Sequence, residues 1–139
     1  MHEAGLLGTA TLATIAAMRW LFHGSLTPAA AEALKRHKQE TQSPADIGLP
    51  PDALPADLLE AARKGQLEII TADSVLAHAP FELPSRFVRT MVHLNVEEGD
   101  IEQDDAIDRL FTRYKRLSPG RLYTVTGARV KVRQLPERH

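Results

Sequence analysis

His23, Asp46, Asp57 and Asp73 are the residues of this chain whose types and spacing could do chemistry. His23 follows a short apolar run at residues 19–22, and Asp73 follows a second at residues 67–71. Asp57 opens the segment "ADLLEAARKG" between them, and Asp46 lies in "ADIGL". In an open parallel sheet ligands bind outside the carboxyl ends of the strands, so His23 and Asp73 come first. Carboxylates gathered without a cation repel one another unless a divalent ion neutralises them. Phosphodiester hydrolases hold Mg²⁺ or Mn²⁺ in that way. The same residues have purely structural roles open to them. Asp57 with Glu60 in "DLLE" fits a capping box, and Asp73 fits an Asx-turn at a strand end. Spacing alone leaves both readings open.

The elements that must position these residues alternate between strand and helix. Residues 19–22 read as a strand ending in "HGS". A helix follows, with Thr27 at the N-cap, Pro28 at its first position and Ala30, Ala33 and Leu34 on one face. "QETQS" is a weaker strand, and the prolines of "PADIGLPPDALP" hold the next connection extended. A helix over 57–64, closed by Gly65, leads into the strand "LEIIT", whose continuous apolar run suits cover on both faces. After a loop rich in Pro and Ala comes the strand "FVRTMVHLNV". The amphipathic helix "DIEQDDAIDRLFTRYKRL" then carries Ile101, Ile107, Leu110, Phe111 and Leu117 inward. A hairpin ends the chain, turning at Thr126, Gly127 and Ala128. The pattern predicts an α/β fold with a mostly parallel sheet, helices on both faces and an antiparallel C-terminal hairpin.

At 139 residues and 43% hydrophobic content the chain supports one core and one domain, 18–139. Residues 1–17 form an apolar extension, read as an accessory helix, a partner-binding arm or a start-site artefact, because Met18 begins "MRWLFHGSL". That run has no preceding Lys or Arg and is too short to span a bilayer, so a cytoplasmic protein with no membrane partner is expected. The chain has no cysteine, which excludes disulfides, thiol catalysis and thiolate metal sites. Ser25 and Ser74 lack a Ser-His-Asp pattern. His37 and His78 read as a solvated helix-end residue and a solvated loop residue. No Gly-rich phosphate loop or H-E-x-x-H motif is present.

Charge is segregated within a net of −1. Seven acids and no base lie between Glu97 and Asp108, and nine Lys or Arg against one acid from Arg109 to the end. Arg129, Lys131 and Arg133 alternate onto one face of a strand, with Arg121 near them. Such a ribbon suits a phosphate backbone, or equally an edge strand protected against aggregation.

The order of "MRWLFHGSLTPAAAEALKRH", "ADIGL", "ADLLEAARKGQLEIITADSVL", "MVHLNV" and "PGRLYTVTGARVKVRQLP" resembles the PIN-like family, small relatives of the PIN nucleases with a VapC-like toxin fold. The resemblance covers residues 18–136. Family members carry "DENL" or "DGSL" after the first strand, then "D-[VIL]-G-L", an aspartate opening a helix, and "T-x-D". Asp46, Asp57 and Asp73 match the last three, His23 stands where the acid is usual, and Val75 replaces a second acid often found after "T-x-D". The resemblance implies a three-layer PIN-like sandwich and a Mg²⁺- or Mn²⁺-dependent ribonuclease, toxin-like and paired with a cognate antitoxin. Asp57 and Asp73 would hold the metal, with Asp46 and His23 as auxiliary catalytic residues. Arg121, Arg129, Lys131 and Arg133 would grip RNA. The alternative is a non-catalytic PIN-like module binding nucleic acid or protein. A homodimer is expected, since PIN-like proteins commonly pair and an apolar segment at 4–17 is costly to leave in water.

Overall fold

The fold is built outward from a fully buried strand. A computed structural model describes residues 18–136. The apolar extension at 1–17 and the last three residues lie outside the described residues. Strand β3 (Glu68–Thr71) is buried at every position, as its continuous apolar run requires. On one side it pairs in parallel with β1 (Arg19–His23), which in turn pairs with the short β2 (Glu40–Gln42). On the other side lie β4 (Met91–Leu94) and β5 (Arg121–Val125), both parallel, and then β6 (Val130–Gln134), which is antiparallel. The six strands run β2-β1-β3-β4-β5-β6. The chain leaves β1 toward β2 and returns to β3 on the opposite side. The strand order therefore reverses between β1 and β3, and a switch point of this kind opens a crevice above the strand ends.

Among the described residues four helices cover the sheet: α1 (Pro28–Arg36), α2 (Pro55–Gly65), α3 (Ser74–Glu82) and α4 (Asp100–Arg113). Successive strand residues face opposite ways, so each strand feeds two cores. Trp20, Ile70, Val92, Tyr123 and Val125 pack with α1 and α4. Leu21, Ile69, Met91 and Leu122 pack with α2 and α3. The result is an α/β three-layer arrangement with a mostly parallel sheet. At the amino end of β3, buried Glu68 accepts hydrogen bonds from the Arg89 guanidinium at 2.7 Å and the Thr90 amide at 3.0 Å, which fixes where β4 begins.

Several boundaries differ from those the sequence suggests. Helix α2 starts at Pro55, because a proline at the first position brings a helical φ and loses no bond that the helix would use. Asp57 thus lies inside the first turn, and Glu60 pairs with Arg63 and Lys64, so "DLLE" is no capping box. Gly65 is the last helical residue, and Gln66 takes the left-handed conformation after it. The Pro- and Ala-rich stretch is helix α3, with Pro80 inside it, and His78 is therefore a helical residue. Strand β4 is limited to four residues. Helix α4 ends at Arg113, short of Leu117, and Ile101 is 74% exposed at its start instead of inward. Thr27 is the N-cap of α1 by position, yet its hydroxyl caps nothing. His37 is half-buried, stacked on Phe111 at 4.9 Å, and its Nε2–H donates to Asp108 at 2.8 Å.

Candidate functional site

The site is assembled by register. His23 pairs with Thr71 across β1 and β3, Thr71 with His93 across β3 and β4, and His93 with Thr124 across β4 and β5. Across the antiparallel pair Thr124 faces Lys131. Residues side by side in a sheet share a face. This polar row therefore runs along the carboxyl end of the sheet, on the face that packs against α2 and α3, and ends in a cation on the edge strand.

At the switch point the row is tied to the next helix. Thr71, fully buried, accepts the Asp73 amide proton on Oγ1 at 2.9 Å and lies 2.9 Å from His23 Nδ1. With one lone pair taken by that amide, the hydroxyl can donate to Nδ1 of a neutral ring. Burial pushes the His23 imidazole below its ordinary value, against the opposing pull of the Asp73 charge. Gly24 makes the approach feasible. Its φ is +87°, and a Cβ there would stand 3.3 Å from the Ala72 and Asp73 amides and from Thr71 Oγ1.

Asp73 is the N-cap of α3, its Oδ1 accepting from the Val75 amide at 2.9 Å, in keeping with the local turn its type favours. One turn on, His78 Nδ1 is 2.7 Å from the Ser74 carbonyl, to which it donates. The His78 and His93 rings meet edge to face with centroids 6.4 Å apart. His93 is held below its ordinary value by burial first and by the proximity of His78 second, with Asp73 opposing both.

The other expected acids do not join this group. Asp46 lies in a 3₁₀ turn, Ala45–Ile47, where its carboxylate accepts the Ser43 amide at 2.9 Å. Asp57 is exposed, with no hydrogen bond or ion pair to its side chain among the described residues. Among the described residues no three His, Asp or Glu side chains gather closely enough to hold a metal ion.

Of the basic ribbon, Lys131 and Arg133 share the face of the polar row, and Arg133 lies over the Phe81 ring at 3.7 Å. Arg129 stands exposed in the turn before β6. Arg121 projects to the opposite face at the far end of β5, because it alternates with Leu122. The acidic run lies elsewhere again. Glu97, Glu102 and Asp105 line a cleft of about 620 Å³ with Asn95 and Arg109, on the α4 side of the sheet. Sequence reasoning missed Thr71, His78 and His93 as site residues. The available signal was the polar residue at the end of each apolar run, "LFH", "IIT" and "MVH", once those runs are laid side by side.

No family model, curated protein or solved structure matches the chain. Among the described residues no helix is long and apolar enough to cross a membrane.

Proposed function

We propose that this chain is a PIN-like protein that binds RNA along the carboxyl edge of its sheet. The observation that supports this reading is the row His23, Thr71, His93, Thr124, ending in Lys131 on the exposed edge strand. Lys131 has no ion pair among the described residues, and Arg129 is exposed beside it, so both cations are free to neutralise phosphates. The half-buried His23 imidazole and Thr124 hydroxyl supply hydrogen bonds to ribose and base edges, while the cations supply affinity that salt weakens. A cytoplasmic setting, a PIN-like relationship, a homodimer and an antitoxin partner belong to the same proposal.

A second reading, metal-dependent ribonuclease, draws on one specific feature: the sequence Thr71-Ala72-Asp73 stands at the switch point, where such a centre is expected. An ion bound there would supply an activated water and charge neutralisation. Asp73 would be its first ligand, with Asp57 and Asp46 reaching it only after movement.

The test is fluorescence anisotropy of a labelled single-stranded RNA with wild type, Lys131→Glu and Arg129→Glu, at several salt concentrations. Each charge reversal should weaken binding and flatten the salt dependence by about one phosphate contact's worth, a log-log slope of about 0.7. Unchanged affinity in both variants rejects the RNA reading. Gel analysis of the same RNA with Mg²⁺ or Mn²⁺ separates the two readings, since cleavage that Asp73→Asn abolishes selects the nuclease.

A further inference from the structure

We propose that the outer edge of β6 takes up an extended peptide of a partner protein as a further strand, and that this peptide alternates acidic with apolar residues. The backbone, the side chains and the failure of other occupants each carry part of the argument.

Strand β6 has β5 as its only neighbour among the described residues. At the turn the Thr126 amide donates to the Arg129 carbonyl at 2.9 Å, and at the far end the Leu135 amide donates to the Gly120 carbonyl at 2.9 Å. Bonded and non-bonded pairs alternate along an antiparallel ladder. Lys131 and Arg133 therefore turn their backbone groups toward β5, and Val130, Val132 and Gln134 turn theirs outward. Such a row of donors and acceptors is a template for strand addition.

The side chains state what the added strand should carry. Lys131 and Arg133 share one face and are exposed, with no ion pair among the described residues. Arg133 lies flat over the Phe81 ring at 3.7 Å, which leaves its in-plane N–H groups to meet a carboxylate. Between them Val132 points to the other face and is 39% exposed, while Val130 packs partly against the core on that side. A strand laid beside β6 places acids opposite Lys131 and Arg133 and an apolar residue opposite Val132. Those are the cross-strand pairs that stabilise a sheet.

Other occupants fit less well. A second copy laid antiparallel and centred on Val132 would set Lys131 opposite Arg133, and like charges directly opposite are destabilising. Residues 1–17 contain a single acid, Glu3, and do not supply the alternation. A phosphate backbone would meet the cations but leave the outward carbonyls and Val132 unmatched.

The experiment uses the untagged full chain and a labelled peptide alternating glutamate with valine. One control peptide carries the same residues in two blocks, and another has lysine in place of glutamate. Fluorescence anisotropy should show the alternating peptide binding about tenfold more tightly than the block control, with no binding of the lysine peptide. Amide hydrogen exchange at Val130, Val132 and Gln134 should slow when the alternating peptide is bound. Val132→Pro removes an outward N–H at an edge, where proline is tolerated, and should abolish peptide binding. It should leave RNA binding intact, because that depends on Lys131 and Arg129. Arg133→Glu should weaken the peptide by about fivefold, and decides the matter if Val132→Pro fails to fold. Equal binding of the block peptide, unchanged exchange at the outward amides, or undiminished binding in either variant overturns the proposal. Peptide binding without RNA binding would overturn the RNA reading alone.

Discussion

His23 and Thr71 stand side by side in the parallel register of β1 and β3 and join their side chains at 2.9 Å across it. Because Thr71 also takes the Asp73 amide, one hydroxyl ties β1 to the start of α3. Thr71→Val keeps the shape and strands that amide. The expected loss is about 1–3 kcal/mol by chemical denaturation, and a loss under a few tenths would mean that water replaces the hydroxyl.

Gly24 is fixed by conformation and by space together. Gly24→Ala forces a Cβ into left-handed backbone and against the Ala72 and Asp73 amides at 3.3 Å. Strain of about 1–2 kcal/mol from the backbone alone is expected, with more if the neighbours cannot yield. Urea denaturation checks it, with Gly127→Ala, where a Cβ meets nothing, as the control.

Gln103 is 1% exposed and acts as a latch between α4 and the loop after β1. Its Oε1 accepts the Thr27 amide at 2.8 Å and its Nε2 donates to the Ser25 carbonyl at 2.9 Å. Gln103→Ala should cost about 2–4 kcal/mol, because two backbone groups lose their partners. It should also loosen residues 24–27, seen as faster amide hydrogen exchange there while β3 stays protected.

Acid should destabilise the protein through its neutral imidazoles. His23 and His93 both lie below the ordinary value of 6.5, chiefly because they are buried. The unfolded chain takes up these protons first as pH falls, so the stability they support is complete above 6.5 and declines toward the depressed values. Asp108, lowered chiefly by its hydrogen bond from His37, adds a loss only below 3.8. Denaturation midpoints measured across the mildly acidic range should fall with pH in wild type and fall less in His93→Gln. An equal slope in both would remove His93 from the account.

Much of the fold is legible in residues that act locally. "LTPAAAEALKR" carries its start signal and its buried face in its own spacing, and "LEIIT" declares a strand covered twice. Helix α3 is hidden because Pro80 reads as a breaker, although the Asp73 cap and its alanines sustain nine residues around it. Ile101 fits an inward stripe by period but precedes the part of α4 that touches the sheet. The site is less legible for a different reason. His23, Thr71 and His93 become neighbours only through parallel register, which depends on crossovers and leaves no mark in local spacing. Asp57 shows the converse, since its place in sequence fits a capping box and the helix start at Pro55 makes it a first-turn residue.

The separation of the two cores by the sheet sets how this protein can change over time. Ile69 and Ile70 are adjacent in the chain, yet they belong to different interiors. Effects of substitutions on the two sides should therefore nearly add, as they do for sites that share no partners. The α1 and α4 side can hold the strands in register while the other side is rewritten one residue at a time. A substitution at position 23, on the α2 and α3 side of β1, can be made without asking the α1 and α4 side to repack.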